Sequence, residues 1–396
     1  MTSRPRVVLK PGREKPVLAG HPWVFSGAIG RIDGLPTDGD TIDVTDGRGE
    51  FLARGLLNRR SQIVVRIFTH DPDEDLTPGL LHTRIAAAET RRAGVLPRDT
   101  DAYRVVFSES DGLPGLIVDR YGDLLAIQCS TLGLQRHKAD VVDALRAIFD
   151  PVAIVERPDA ETMTREGLTV ASNTLYGEVP ESVEISEYGL RFIVDLVGGQ
   201  KTGFFLDQRE NRRRVATYCA DARVLNCFSF TGAFGVYAAA AGAAQVINVD
   251  TSADALRLAE GQMARNGYTS ARDEYRVGDV FQVLREYRDR DEHFDVIILD
   301  PPKFAHSNEG LIRATRGYKD INLLALQLLN PNGILATFSC SGLISPDLFQ
   351  KVVFGASVDA RRPAQIIERL TQAPDHPVLL SFPESEYLKG LICRAL

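Results

Sequence analysis

From residue 223 to residue 339 the chain alternates short apolar runs with longer amphipathic stretches, and that rhythm restricts the fold more than any other feature. Strands are predicted at 223–227, 245–250, 274–277, 295–299 and 333–339. Helices are predicted at 207–219, 232–241, 252–266, 280–287 and 318–329. Such alternation gives a parallel sheet with helices on both faces, an α/β Rossmann-like domain. Ligands in these sheets bind outside the carboxyl ends of the strands. The residues that follow each strand are therefore where chemistry is expected.

The first strand runs into Asn226-Cys227-Phe228-Ser229-Phe230-Thr231-Gly232. A dinucleotide site would place Gly-x-Gly-x-x-Gly here, so that a helix N-terminus meets a pyrophosphate. Phe228 and Phe230 take up that turn instead. S-adenosylmethionine carries no phosphate and is compatible with such a loop. Asn226, Phe228, Ser229, Thr231 and Gly232 are thus candidate cofactor contacts. Asp250 ends the second strand, 18 residues beyond Gly232. A carboxylate there can accept both ribose hydroxyls. Asp279 follows the third strand and can accept from an adenine amino group, with Val280 as apolar cover. An N-cap role for Asp279 is compatible with this.

The fourth strand delivers Asp300 into Pro301-Pro302-Lys303-Phe304. Two prolines fix φ and remove two donors, so the turn holds its shape against a flat base. The fifth strand ends at Cys340. Carbon 5 of a pyrimidine is a poor nucleophile. A thiolate adding at C6 makes C5 enamine-like and able to attack a sulfonium methyl. The thiolate is the reactive form, so such a site must favour it. The plain alternative for a free cysteine is a small buried hydrophobe, and Cys227 is read that way. Upstream, the glycine-rich stretch 198–203 leads into Phe204-Phe205-Leu206-Asp207-Gln208-Arg209. A loop of that kind gains its order from a ligand, with Phe204 or Phe205 against the cofactor.

With 396 residues, two or three domains are expected. Five scattered cysteines without a Cys-x-x-Cys pair argue against a disulfide framework or bound metal and fit a reducing cytoplasm. No apolar run is long enough for a membrane span, and no secretory signal is expected. The net charge of −7 disfavours nucleic acid, but residues 1–66 carry eleven Lys and Arg against seven Asp and Glu. That segment, with strands predicted at 6–9, 41–44, 50–57 and 62–68, reads as a small β-barrel-like module of residues 1–70. Residues 71–184 read as a compact α+β domain, with helices at 80–93 and 134–149. Residues 185–396 hold the Rossmann-like domain, entered through a hairpin about Tyr188-Gly189.

Together these motifs resemble the bacterial 23S ribosomal RNA cytosine-5 methyltransferase family, which joins a PUA domain, a central α/β module and a Rossmann-like methyltransferase domain. The resemblance spans the chain. It rests on Leu9-Lys10-Pro11-Gly12-Arg13, His21-Pro22-Trp23-Val24-Phe25, Gln200-Lys201-Thr202-Gly203-Phe204-Phe205-Leu206-Asp207-Gln208-Arg209 and Asp300-Pro301-Pro302-Lys303. It implies S-adenosyl-L-methionine as cofactor and 23S rRNA or a large-subunit particle as partner, in the cytoplasm. Oligomeric state stays open, with a homodimer admitted. It further implies Cys340 as nucleophile and Asp300 as the residue that orients or protonates cytosine. Asp207, Gln208, Arg209 and Pro301 join the cofactor set, and Pro302, Lys303, Lys10 and Arg13 become RNA contacts. Methylation of a base nitrogen stays open beside this reading. A nicotinamide-dependent oxidoreductase is the more distant alternative.

Overall fold

The computed structural model describes residues 4–196, 203–304 and 309–396. The chain divides into two compact units. The first contains Met1–Tyr188, Val194–Leu206 and Pro374–Ser385, and the second Gly189–Ile193, Asp207–Ala373 and Glu386–Leu396. The segments 1–70 and 71–184, separate in the sequence reading, therefore share one unit.

Their union has a physical cause. The first unit holds a six-stranded sheet in the order Trp23–Phe25, Ile63–Thr69, Phe51–Leu57, Thr41–Thr45, Arg6–Leu9, Ile29–Asp33. It encloses Val7, Val24, Ile42, Val44, Leu57 and Val65. The strands Trp23–Phe25 and Ile29–Asp33 escape the sequence reading because each is short and bordered by Ser or Gly. A five-stranded sheet, Asn173–Gly177, Ala153–Glu156, Leu124–Cys129, Leu116–Tyr121, Ala102–Phe107, forms the second layer. The helix Pro78–Ala93 starts at Thr77, whose hydroxyl accepts from the Leu80 amide, and buries Leu81, Ile85 and Ala88. Arg66, on the first sheet, binds Glu109 at 2.7 Å and Glu166 at 3.0 Å. The Trp23 indole donates to the same Glu109 oxygen at 2.7 Å. These buried charges need one another, because a lone buried carboxylate is costly.

The second unit holds the seven-stranded sheet. Its strands are β1 (Arg223–Cys227), β2 (Gln245–Asp250), β3 (Glu274–Val277), β4 (Phe294–Leu299), β5 (Leu329–Ser339), β6 (Ala364–Thr371) and β7 (Lys389–Ala395). Its helices are α1 (Arg209–Ala216), α2 (Ala233–Ala240), α3 (Ala253–Arg265), α4 (Val280–Asp289), α5 (Leu311–Leu328) and α6 (Pro346–Asp359). The strand order is β3-β2-β1-β4-β5-β7-β6. The strands β1 to β5 are parallel, and β7 inserts antiparallel between β5 and β6. Order reverses at the β1/β4 junction, which opens a crevice at the carboxyl edge. One face of the sheet packs Leu225, Ile247, Ile297 and Leu335 against Leu284, Tyr318, Ile321 and Phe349. Sequence periodicity placed β1 to β5 and α2 to α4 well, and began α5 seven residues late. It did not reach α6, β6 or β7.

Replacing Glu109 with Gln is expected to cost the first unit about 3 kcal/mol, because Arg66 and Trp23 lose a charged acceptor. Burial pushes the Glu109 carboxyl up. The Arg66 charge and the bonds from Ser108 and Trp23 outweigh it, holding the group below its ordinary range. The stability it contributes is present above the unfolded-state value and lost as pH falls through the folded one. Urea unfolding across acid pH should thus show a shallower acid loss in the variant than in the wild type.

Candidate active site

Each of the parallel strands β1 to β5 leads into a group placed at the carboxyl edge. After β1 the backbone turns through Phe228 and Phe230, at φ 57° and 47°, and Gly232 at φ 77°. A side chain in this left-handed region costs about 1–2 kcal/mol, and the loop carries that strain twice. Three contacts hold the turn: Ser229 N–H to Val249 O at 3.0 Å, Gly232 N–H to Ser229 O at 2.8 Å and Phe230 N–H to Asp250 Oδ2 at 2.9 Å. Asp250 Oδ1 accepts from the Ser252 amide at 2.9 Å, which leaves further lone pairs on both oxygens. The Ser229 hydroxyl is buried and finds no partner among the described residues. Thr231 is buried beside it. A Cβ on Gly232 would lie 2.6 Å from the Ala259 Cβ, so the α2–α3 contact also requires glycine.

Two cofactor candidates lie deeper than the sequence reading placed them. Asn226 is on the helix-covered face of β1, 1% exposed, and its amide donates to Asn248 at 2.9 Å. Val280 is 2% exposed and packs in the core of the sheet, because the first turn of α4 points it inward. The apolar groups left at that rim are Val277, which is exposed, and Phe281, which is partly buried. Asp279 caps α4 by accepting from the Gln282 amide and stays exposed.

Asp207, Gln208 and Arg209 stand at the start of α1, all buried. Asp207 Oδ2 accepts from the Tyr387 hydroxyl at 2.6 Å. Gln208 takes the Asn211 amide on its carbonyl at 2.6 Å and donates to Asp300 Oδ1 at 3.0 Å. Arg209 Nε reaches Glu210 at 3.1 Å. The motif thus braces Asp300 from behind. Pro301 is buried, Pro302 exposed, Lys303 half-buried. Phe204 belongs to the first unit, buried, with its carbonyl 3.4 Å from the Tyr121 hydroxyl. Residues 198–202 of the proposed cofactor loop lie outside the described residues. Lys10 and Arg13 are exposed on the first unit, and Lys10 Nζ donates to Gly27 O at 3.0 Å.

Among the five cysteines, Cys340 alone is half-buried, while the others are enclosed. Burial pushes the Cys129, Cys219 and Cys393 thiols up to about 12, and the Cys227 thiol upward as well. Cys227 lies in the core, as its packing role requires. Beside Cys340, the buried Tyr318 hydroxyl accepts from Ser339 Oγ at 3.0 Å. Burial raises the Tyr318 ionisation, and the negative charges of Cys340 and Asp300 add to the rise. Tyr318 therefore stands in the field of both candidate catalytic groups. Sequence periodicity marked it only as the start of a helix.

The profile of the S-adenosylmethionine-dependent methyltransferase family matches residues 163–393, and that of the PUA-like domain matches residues 7–70. Ribosomal RNA large subunit methyltransferase I of Klebsiella pneumoniae (strain 342) is 46% identical over 394 residues, covering 99% of this chain and 98% of that protein. The protein of that name from Tolumonas auensis is 48% identical over 393 residues, covering 98% and 99%. The chain belongs to the ribosomal RNA large subunit methyltransferase I family. Among solved structures, SMU.776 complexed with SAH superposes with a TM-score of 0.85 at 24% identity, over 98% of this chain and 99% of that one. This shared fold is the S-adenosylmethionine-dependent methyltransferase fold preceded by a PUA-like module. The nicotinamide alternative falls with that assignment. S-adenosylmethionine is the cofactor of the family, and the carboxyl edge of this methyltransferase fits it. The crevice offers an unpartnered buried hydroxyl at Ser229, spare carboxylate lone pairs at Asp250 and no pyrophosphate cradle.

Gly232→Ala should lower stability by about 2–3 kcal/mol, combining the left-handed backbone cost with the collision at Ala259. Adding Ala259→Gly should restore part of that loss. Thermal unfolding of the single and double variants checks both expectations.

Proposed function

We propose that the protein methylates C5 of a cytosine in 23S ribosomal RNA, with Cys340 as nucleophile. The observation that carries this reading is Cys340 itself: the least enclosed thiol of the chain, at the end of β5, sharing the Tyr318 environment with Asp300. The full-length likeness to proteins named for the large ribosomal subunit supports ribosomal RNA as substrate. Cys340 Sγ adds to C6 of the base and C5 becomes nucleophilic. Bound S-adenosylmethionine supplies the electrophilic methyl. Loss of the C5 proton and departure of the thiolate complete the cycle. Asp300, braced by Gln208, orients or protonates the base, and the Pro301-Pro302-Lys303 turn forms a wall for it. Asp250 would hold the ribose, Asp279 the adenine amino group, and Ser229, Thr231 and the Phe228 turn the remainder of the cofactor. Exposed Lys10 and Arg13, in the turn after the first strand of the PUA-like module, supply cations for RNA phosphates.

Methylation of a base nitrogen is favoured by one observation. Asp300-Pro301-Pro302 forms a rim that can accept from an amino group without any thiol. Cys340→Ala separates the two. The C5 reading expects loss of 5-methylcytosine from the rRNA product, seen by nucleoside mass spectrometry, with S-adenosylmethionine affinity unchanged by calorimetry. Methyl transfer that survives the substitution assigns the nitrogen reaction instead. Asp250→Asn should weaken S-adenosylmethionine binding about tenfold, equivalent to about 1.4 kcal/mol, in the same calorimetric assay.

A further inference from the structure

Strand β7 brings a lysine to the reaction centre from 49 residues downstream of Cys340. Lys389 is the register partner of Ser339 across the antiparallel β5/β7 pair. Directly opposed residues of such a pair point to the same face with their Cβ atoms about 5 Å apart. Ser339 in turn touches the Tyr318 hydroxyl. The Lys389 side chain is 7% exposed. Its Nζ donates to Ser341 O at 2.5 Å and to Ile344 O at 2.7 Å. Those carbonyls belong to the turn that begins right after Cys340. An ammonium group has three donors, so one N–H remains beyond these two bonds.

No carboxylate forms an ion pair with Lys389 among the described residues. A buried ammonium hydrogen-bonded to carbonyls rather than to a carboxylate is costly, and an apolar side chain would serve packing better. The charged groups around the thiol explain the placement. Cys340 and Asp300, which follows β4, both act on Tyr318 of α5, and neither Asp300 nor Tyr318 favours a further negative charge there. Lys389 is the cation on β7, and Glu386 precedes it. Burial brings the lysine down to about 8, and the Cys340 charge opposes that fall, so the amine stays protonated at neutral pH.

We propose that Lys389 is a positioning residue whose ammonium charge holds Cys340 as a thiolate, while two of its N–H groups fix the turn that follows the cysteine. The thiol proton passes to solvent, and the ammonium keeps its own. This rests on the C5 reading for its use in catalysis, but thiolate formation is measurable without RNA. The test is the pH profile of iodoacetamide alkylation at Cys340, followed by peptide mass spectrometry, in wild type, Lys389→Met and Lys389→Arg. Wild-type alkylation should have its midpoint at least one pH unit below that of an ordinary thiol, about 8.5. Lys389→Met should move the midpoint up by at least one unit. Lys389→Arg should stay near wild type. A lysine that merely clamps the turn would leave the profile in place. S-adenosylmethionine binding reports that each variant has folded. A wild-type midpoint at or above 8.5 overturns the proposal even if neither variant folds, and so does an unchanged profile in folded Lys389→Met. Failure of the C5 reading shows elsewhere, as methyl transfer that survives Cys340→Ala.

Discussion

The second unit depends on one constraint of parallel sheets. Each inner strand needs a neighbour on both sides to satisfy its backbone, and each parallel strand hands over to a helix at its carboxyl end. With the order reversing between β1 and β4, the ends of β1, β2, β4 and β5 face one crevice. The left-handed Phe228 turn, Asp250, Asp300 and Cys340 are four consequences of that single geometry. Gln208 closes the arrangement by tying α1 to the end of β4 through Asp300. The candidate groups sit where helices and strands exchange, because there backbone donors and side chains become accessible together.

Much of this was legible in the sequence, for reasons that differ by residue. Strands β1, β2 and β4 are mostly apolar, which is how doubly covered strands read, whereas the edge strand β3 is Glu274-Tyr275-Arg276-Val277. Asp250 and Asp300 stand at their ends, and strand termini are easily counted. Cys340 was legible by the same counting. The Phe228 loop was legible through the glycines it lacks. Asn226 and Val280 are both buried, a depth that the motifs did not address. Period-two alternation sends Asn226 to the helix-covered face with Asn248, and the cap at Asp279 turns Val280 inward. Both facts need the register and the helix start, which motif reading did not consult.

Other residues were illegible because their partners are remote in the chain. Lys389 meets Ser339 only through an antiparallel pairing that periodicity did not reach, and Tyr387 meets Asp207 across 180 residues. The signal available for Lys389 was a single lysine inside the apolar run Leu388-Lys389-Gly390-Leu391-Ile392-Cys393. A charge in a strand of that kind contradicts its surroundings, and such contradictions mark functional positions. The union of residues 1–70 with 71–184 was hidden in the same way. It depends on Arg66 meeting Glu109 and Glu166, and no local pattern announces those pairs.

Several departures from good folding practice in the second unit gather at its carboxyl edge, while other left-handed residues, Asp221, Asp291, Asn332 and Arg361, are exposed. Phe228 and Phe230 hold a strained backbone, and among the described residues Ser229 keeps a buried hydroxyl without a partner and Lys389 a buried charge without an ion-paired carboxylate. All lie in the turn after β1 or beside the end of β5. The Glu109–Arg66–Glu166 network of the first unit shows that this chain does pair its buried charges where only stability is at stake. A stability argument accounts for that network and fails for Lys389. The difference between the two sites is the half-buried thiol, whose anion would complement the Lys389 ammonium.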